Sequence, residues 1–119
     1  MNWRRTQQLF VALFVVLFEI ATIPLYSQQP QPAPPASLNA VDHPWDNGTR
    51  IDLTWTLSPD DGAIQGYIVR KKTPADAEFT RVELVPPGTS SYTASELNPS
   101  TSYVFEVAAL SRGNTESTP

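Results

Sequence analysis

The sequence contains no cysteine. Disulfides, thiol nucleophiles and thiolate metal sites are therefore excluded, and no cysteine is present to carry a lipid behind an export signal. Any folded part must be held by its apolar core alone. Histidine occurs once, as His43, in a loop between Asp42 and Pro44. A lone loop histidine without an organised nucleophile makes no hydrolytic triad. No catalytic residue, cofactor or metal site is assigned, and the chain is expected to be non-enzymatic. Basic residues are scarce, 8 against 12 acidic ones, for a net charge of −4. An acidic chain without a basic stripe repels phosphate backbones, which argues against nucleic acid as a partner. Arg70, Lys71 and Lys72 form the one basic cluster. On a strand they alternate between faces, which fits solvated surface better than an anion site.

Long apolar runs are also absent, with one exception. Leu9 to Phe18 is unbroken, follows Asn2-Trp3-Arg4-Arg5, and leads through Glu19, Thr22 and Pro24 to Leu25-Tyr26-Ser27. A positive start, a short apolar stretch and a small residue before the cut are the parts of a signal peptide, here residues 1–27. The alternative is an uncleaved anchor over residues 9–26. A spanning helix takes about 20 mostly apolar residues, and this run is slightly short and carries an acid and a proline. The expected location is extracytoplasmic (secreted, periplasmic or cell surface), with membrane contact only if the segment is retained. Removing Arg4, Arg5 and Glu19 with the signal leaves 6 basic and 11 acidic side chains.

Residues 28–36 are rich in proline and glutamine, which predicts an extended spacer. Beyond it the apolar pattern has period two. Ile51, Leu53 and Trp55 alternate with Asp52, Thr54 and Thr56, the signature of a half-buried strand. Ser58-Pro59-Asp60-Asp61-Gly62 marks a turn. Further strands are expected at Gly66–Arg70, weakly at Phe79–Val85, at Ser91–Ser95 and, most strongly, at Tyr103–Leu110. Short strands with turn signals about every ten residues predict an all-β sandwich or small barrel.

Several segments in order resemble the fibronectin type III family, over Pro34 to about Gly113. Pro35-Ala36-Ser37-Leu38 resembles the entry to the first strand, Leu53-Thr54-Trp55 the second with its buried tryptophan, and Gly66-Tyr67-Ile68-Val69 the third. Leu97-Asn98-Pro99-Ser100-Thr101-Ser102-Tyr103, running into Val104–Ala109, resembles the corner in which a tyrosine hydroxyl bonds upstream backbone. The resemblance implies an immunoglobulin-like two-sheet sandwich over residues 37–119, with a structural core that includes Trp55, Tyr67, Leu97 and Tyr103. Leu38, Ile51, Leu53, Val69, Tyr92, Phe105 and Val107 are expected on the inner faces beside them. It also implies an extracytoplasmic adhesion, spacer or protein-interaction module. The alternative is the N-terminal accessory domain of a longer secreted or envelope enzyme or transport protein.

The C-terminal end departs from the family pattern. A seventh strand should follow Leu110, yet Ser111 to Pro119 holds no apolar side chain and ends in proline, which cannot donate to a ladder. The domain is therefore expected to be C-terminally incomplete as it stands. Three explanations compete: a chain cut from a longer one, a complete chain whose tail pairs poorly, or a strand supplied by a partner.

Other motifs have plainer readings. Asp42, Asp46 and Asn47 in one loop, and Asp60 and Asp61 in another, would be separated by about 17 Å of intervening strand at 3.3–3.4 Å per residue. They cannot share a calcium ion, and each suits a turn. Arg112-Gly113-Asn114 lacks the carboxylate of an integrin-binding Arg-Gly-Asp. Asn47-Gly48-Thr49 matches the N-glycosylation acceptor pattern and is also a common turn sequence. Trp45 is a large aromatic in a polar loop. It either folds back to cap the sandwich, the preferred reading, or stands exposed as the candidate binding residue for a protein or carbohydrate partner.

Overall fold

The computed structural model describes residues 30–119. The expected signal helix, its cut after Ser27 and the start of the spacer lie outside the described residues.

Six strands form: β1 (Ala36–Asp42), β2 (Ile51–Thr56), β3 (Ile64–Lys72), β4 (Thr80–Val85), β5 (Ser91–Ala94) and β6 (Val104–Ser111). They make two antiparallel three-stranded sheets, ordered β1-β2-β5 and β4-β3-β6. The pleat sends alternate side chains to opposite faces. In β2 it buries Leu53 and Trp55 and exposes Thr54 and Thr56. Across β3 and β6, Tyr67 stands opposite Ala109 and Val69 opposite Val107. These inward residues meet Leu53 and Trp55 of the other sheet, with Val85 and Ile64 completing the core. The rings of Trp55 and Tyr67 span the two layers at 5.9 Å between centroids and 58° between planes. A tilted contact of this kind suits the charge distribution of aromatic faces and edges. Ile51, Tyr92 and Phe105 are half-buried against the same cluster, and Leu97 is buried.

The turns follow their residues. Thr89 N–H donates to the Pro86 carbonyl at 3.3 Å across Pro87 and Gly88. Proline presets the first central angle, and Gly88 supplies the φ of 81° that the second requires. Ser58 opens the β2–β3 connection by accepting the Asp60 N–H on Oγ at 3.0 Å, and a short 3-10 turn follows at Asp61–Ala63.

Two expectations change at β1. Leu38 is not buried in the core as expected; it is 38% exposed, and all seven residues of the strand are exposed. The register with β2 shifts between Ala36 and Asn39, and Ser37 takes a positive φ of 55°. The strand lies at the edge of its sheet, paired on one side only. The spacer, in turn, does not stand free along its whole length. Ala33, flanked by prolines that cannot donate, gives its N–H to Asp60 Oδ2 at 2.8 Å and accepts Ser58 Oγ–H at 2.6 Å. Gln31 Nε2 reaches the Glu116 carbonyl at 3.0 Å, and Pro35 is buried.

The polar C-terminal tail also pairs more than its composition suggests. Glu116 bridges Leu110, and Ser117 N–H donates to the Ala109 carbonyl at 2.8 Å. In return, Ala109 N–H donates to Ser117 Oγ at 2.8 Å. A buried serine hydroxyl thus stands in for a backbone acceptor. Arg70 clamps the tail through Glu116 at 2.7 Å and also reaches Glu106 at 3.6 Å. Among the described residues, Val104–Ala108 has no ladder partner on this side of β6.

Candidate interaction surface

The β1–β2 connection, residues 43–50, is a largely exposed turn. His43 N–H donates to the Arg50 carbonyl at 3.3 Å and closes its base. Within it, Asp46 accepts from Gly48 N–H at 3.0 Å, Thr49 N–H at 3.2 Å and Thr49 Oγ–H at 3.4 Å. Aspartate in a turn competes for backbone donors in just this way. Partial burial pushes the Asp46 carboxyl upward, but the backbone donors of Gly48, Arg50 and Thr49 outweigh it and hold the group below its ordinary value. Gly48, at φ 76°, lies against Pro99, and Leu97 N–H donates to the Thr49 carbonyl at 3.0 Å. The turn is therefore seated on the corner before β6. There Tyr103, half-buried and 6.3 Å from Phe105, accepts the Asn98 N–H on its hydroxyl at 2.9 Å.

Trp45 projects from this fixed turn. It does not cap the sandwich; it is fully exposed, at a φ of 63°. A left-handed conformation is uncommon for a bulky residue, and it turns the indole away from the body that Asp46 holds together. Pro44 and Asn47 beside it are exposed as well.

Below the turn, His43 Nδ1 lies 2.9 Å from Asp52 Oδ2, and Thr93 Oγ–H donates to Asp52 Oδ1 at 2.7 Å. The Thr93 hydroxyl bond first, and the His43 contact second, keep the Asp52 carboxyl below its ordinary value. In a hydrolytic triad the hydroxyl bonds the imidazole. Here both groups bond one carboxylate, so the arrangement ties β2 to β5 and to the turn and offers no activated nucleophile. Sequence reasoning missed this cluster. Its signal was the placement of Asp52 on the outward face of β2, directly across from Thr93.

The opposite end of the sandwich holds a second fixed network. Tyr67 is fully buried and donates its hydroxyl to Asp61 Oδ1 at 2.7 Å while accepting the Ser58 N–H at 2.9 Å. Asp61 Oδ1 also accepts the Gly88 N–H at 2.9 Å. Burial first, and the bond to Asp61 second, push the Tyr67 phenol up to about 12. Asp46 at one end, and Asp60 and Asp61 at the other, are thus engaged in separate loop bonds. Among the described residues no group of three or more acidic or histidine side chains converges as a metal site would require.

The basic cluster is likewise engaged rather than simply solvated. Arg70 binds Glu106 and Glu116, Lys71 Nζ lies 5.6 Å above the Tyr103 ring, and Lys72 Nζ lies 4.8 Å above Phe79. Arg112 reaches the Gly62 carbonyl at 3.3 Å. Along the open side, Leu38, Trp55, Phe105, Val107 and Pro119 border a shallow groove between β1 and β6.

Two sheets closed over an indole and a phenol, with a tyrosine-bonded corner, define an immunoglobulin-like sandwich domain. Within that class, the chain belongs to the fibronectin type III family, whose domain model matches residues 33–119. It is 37% identical over 90 residues to receptor-type tyrosine-protein phosphatase F of Bos taurus, and equally so to that of Homo sapiens. That match covers 76% of this chain and about 4% of the relative. Among solved structures, a Fn3-like protein from Clostridium thermocellum superposes with a TM-score of 0.61 at 26% identity, covering 75% of this chain and 85% of that one. Titin domains A168–A170 give the same TM-score at 31% identity, over 75% of this chain and 29% of theirs.

Proposed function

We propose that this chain is an exported, non-enzymatic module that presents a rigid surface for adhesion, spacing or protein contact outside the cytoplasm. The observation that carries this reading is Trp45, held fully exposed on a turn that Asp46 and the Leu97–Tyr103 corner fasten from both sides. A scaffold that spends its polar groups on fixing loops, and leaves one aromatic outside, is built for contact. Exposed tryptophan is enriched where partners bind. The receptor-type relatives and the apolar segment Leu9–Phe18 support a location beyond the membrane. No helix among the described residues is long and apolar enough to cross one. Expressed from its own first residue, the protein should be recovered outside the cytoplasm with Gln28 at its N terminus. Recovery solely in the cytosol, beginning at Met1, would refute export.

A second reading is favoured by the 4% share of the phosphatase relatives that the match covers. In it, the domain is the N-terminal accessory part of a longer secreted or envelope enzyme or transport protein. Reading the gene past the Pro119 codon separates the two. A further strand and another domain support the accessory role, and a stop codon there removes it.

A further inference from the structure

We propose that Asn47 is an N-glycan acceptor and that Trp45 is the platform on which its first sugar rests. This deepens the exported-module reading, on which it rests, by naming carbohydrate as the chemistry that the exposed indole meets.

Three observations converge on the same five residues, Trp45 to Thr49. Asn47-Gly48-Thr49 has the acceptor pattern, with glycine rather than proline in the middle. The turn leaves the asparagine free to react. The side-chain bonds within the turn fall on Asp46, through Gly48 N–H, Thr49 N–H and Thr49 Oγ–H, and its backbone is fastened through His43, Arg50, Thr49 and Leu97, while Asn47 is exposed and takes no part. Trp45, two residues before the acceptor, is fully exposed at a φ of 63°. An indole face carries partial negative charge, and the polarised C–H groups on one face of a hexose ring complement it. A glycan on Asn47 would cover apolar area that nothing in the domain covers.

The transfer balances without help from the domain. Asn47 Nδ2 forms a bond to C1 of the terminal N-acetylhexosamine of a polyprenyl-diphosphate-linked oligosaccharide. The C1–O bond to the diphosphate breaks, the diphosphate leaves with the electron pair, and the amide loses one proton.

The test is translation of the full chain with endoplasmic reticulum microsomes, wild type beside Asn47→Gln. The expected result is a protease-protected product carrying one glycan, removable by an endoglycosidase and missing from the variant. Protected but unmodified wild-type chain overturns the acceptor. If the chain stays outside, the export reading has failed on its own. The same full chain placed behind an unrelated cleavable signal then decides the acceptor, for or against. For the platform, glycosylated protein should melt higher than Asn47→Gln and show blue-shifted tryptophan emission. Both differences should vanish when the pair is compared in a Trp45→Ala background. An unchanged melting gain there overturns the role of Trp45.

Discussion

The Tyr67 hydroxyl donates to Asp61 Oδ1 at 2.7 Å and accepts the Ser58 N–H at 2.9 Å. A core ring thereby organises the loops at one end of the sandwich, since Asp61 also holds Gly88. Replacing Tyr67 by phenylalanine leaves the ring and removes both bonds, at a cost of about 1–3 kcal/mol near neutral pH. The phenol titrates near 12 in the folded chain against an ordinary 10.0. A raised phenol pKa means that its stabilisation is whole below pH 10.0 and is lost as the pH climbs through about 12. A shift of this size corresponds to about 2–3 kcal/mol. Urea unfolding at pH 7 and pH 11.5 should show the gap between wild type and Tyr67→Phe narrowing at the higher pH. A constant gap would discount the buried phenol.

The acid limb has the opposite sign. Asp46, Asp52 and Asp61 are all held below the ordinary carboxyl value of 3.8. Their contribution is present above that pH and drains away as the pH falls below it. Thermal melts from pH 6 to pH 2 should stay level at first and then drop. No drop by pH 2 would mean that these turn bonds add nothing to folding.

Trp55 fills the interlayer but leaves its Nε1–H buried without a protein acceptor. Trp55→Ala should cost about 3–5 kcal/mol through the cavity it creates. Trp55→Phe keeps much of the volume and removes a donor whose burial unsatisfied costs about 1–3 kcal/mol. The phenylalanine variant should therefore lose less than half of what alanine loses. Equal losses in denaturant titrations would show that the indole nitrogen carries no penalty.

At the corner, Tyr103→Phe removes the acceptor for Asn98 N–H. The global loss should be modest, about 0.5–1.5 kcal/mol, with a larger local effect. Amide exchange at Asn98 should accelerate well beyond that of β3 core amides such as Val69. Unaltered protection at Asn98 would mean that the hydroxyl does not hold the corner.

Gly66 sits where β3 passes close to β4. A methyl group added there runs into the Val85 carbonyl oxygen and comes within 3.1 Å of Leu84 Cδ1. Gly66→Ala should destabilise by about 1–3 kcal/mol, because a backbone atom cannot step aside. Gly62 faces open space at the neighbouring turn, so Gly62→Ala is the control and should stay within about 0.5 kcal/mol of wild type. Similar melting temperatures for the two variants would contradict this packing.

The legible parts were those governed by pattern and by local chemistry. Period-two alternation marked β2 and β6, and Pro86-Pro87-Gly88 marked a turn that needs a positive φ. What escaped depended on partners distant in sequence. Leu38 reads as apolar and buried, yet in an edge strand with one neighbour it stays 38% exposed. The tail reads as unable to pair, yet Ser117 borrows its own hydroxyl as an acceptor for Ala109. Trp45 reads as a cap because apolar residues usually find cover, but the bonds gathered by Asp46 aim it outward.

Composition and order of residues thus determined by themselves that this is an all-β sandwich or small barrel, because strand alternation and turn residues act over a few positions. The likeness of the Leu97–Tyr103 corner and the segments before it to the fibronectin type III family narrowed that class. Tertiary structure alone decided which polar groups meet, as in His43–Asp52–Thr93 and Tyr67–Asp61–Gly88. It also decided which aromatic faces solvent. Those outcomes depend on register and loop geometry, where a shift of one residue exchanges one face of a sheet for the other.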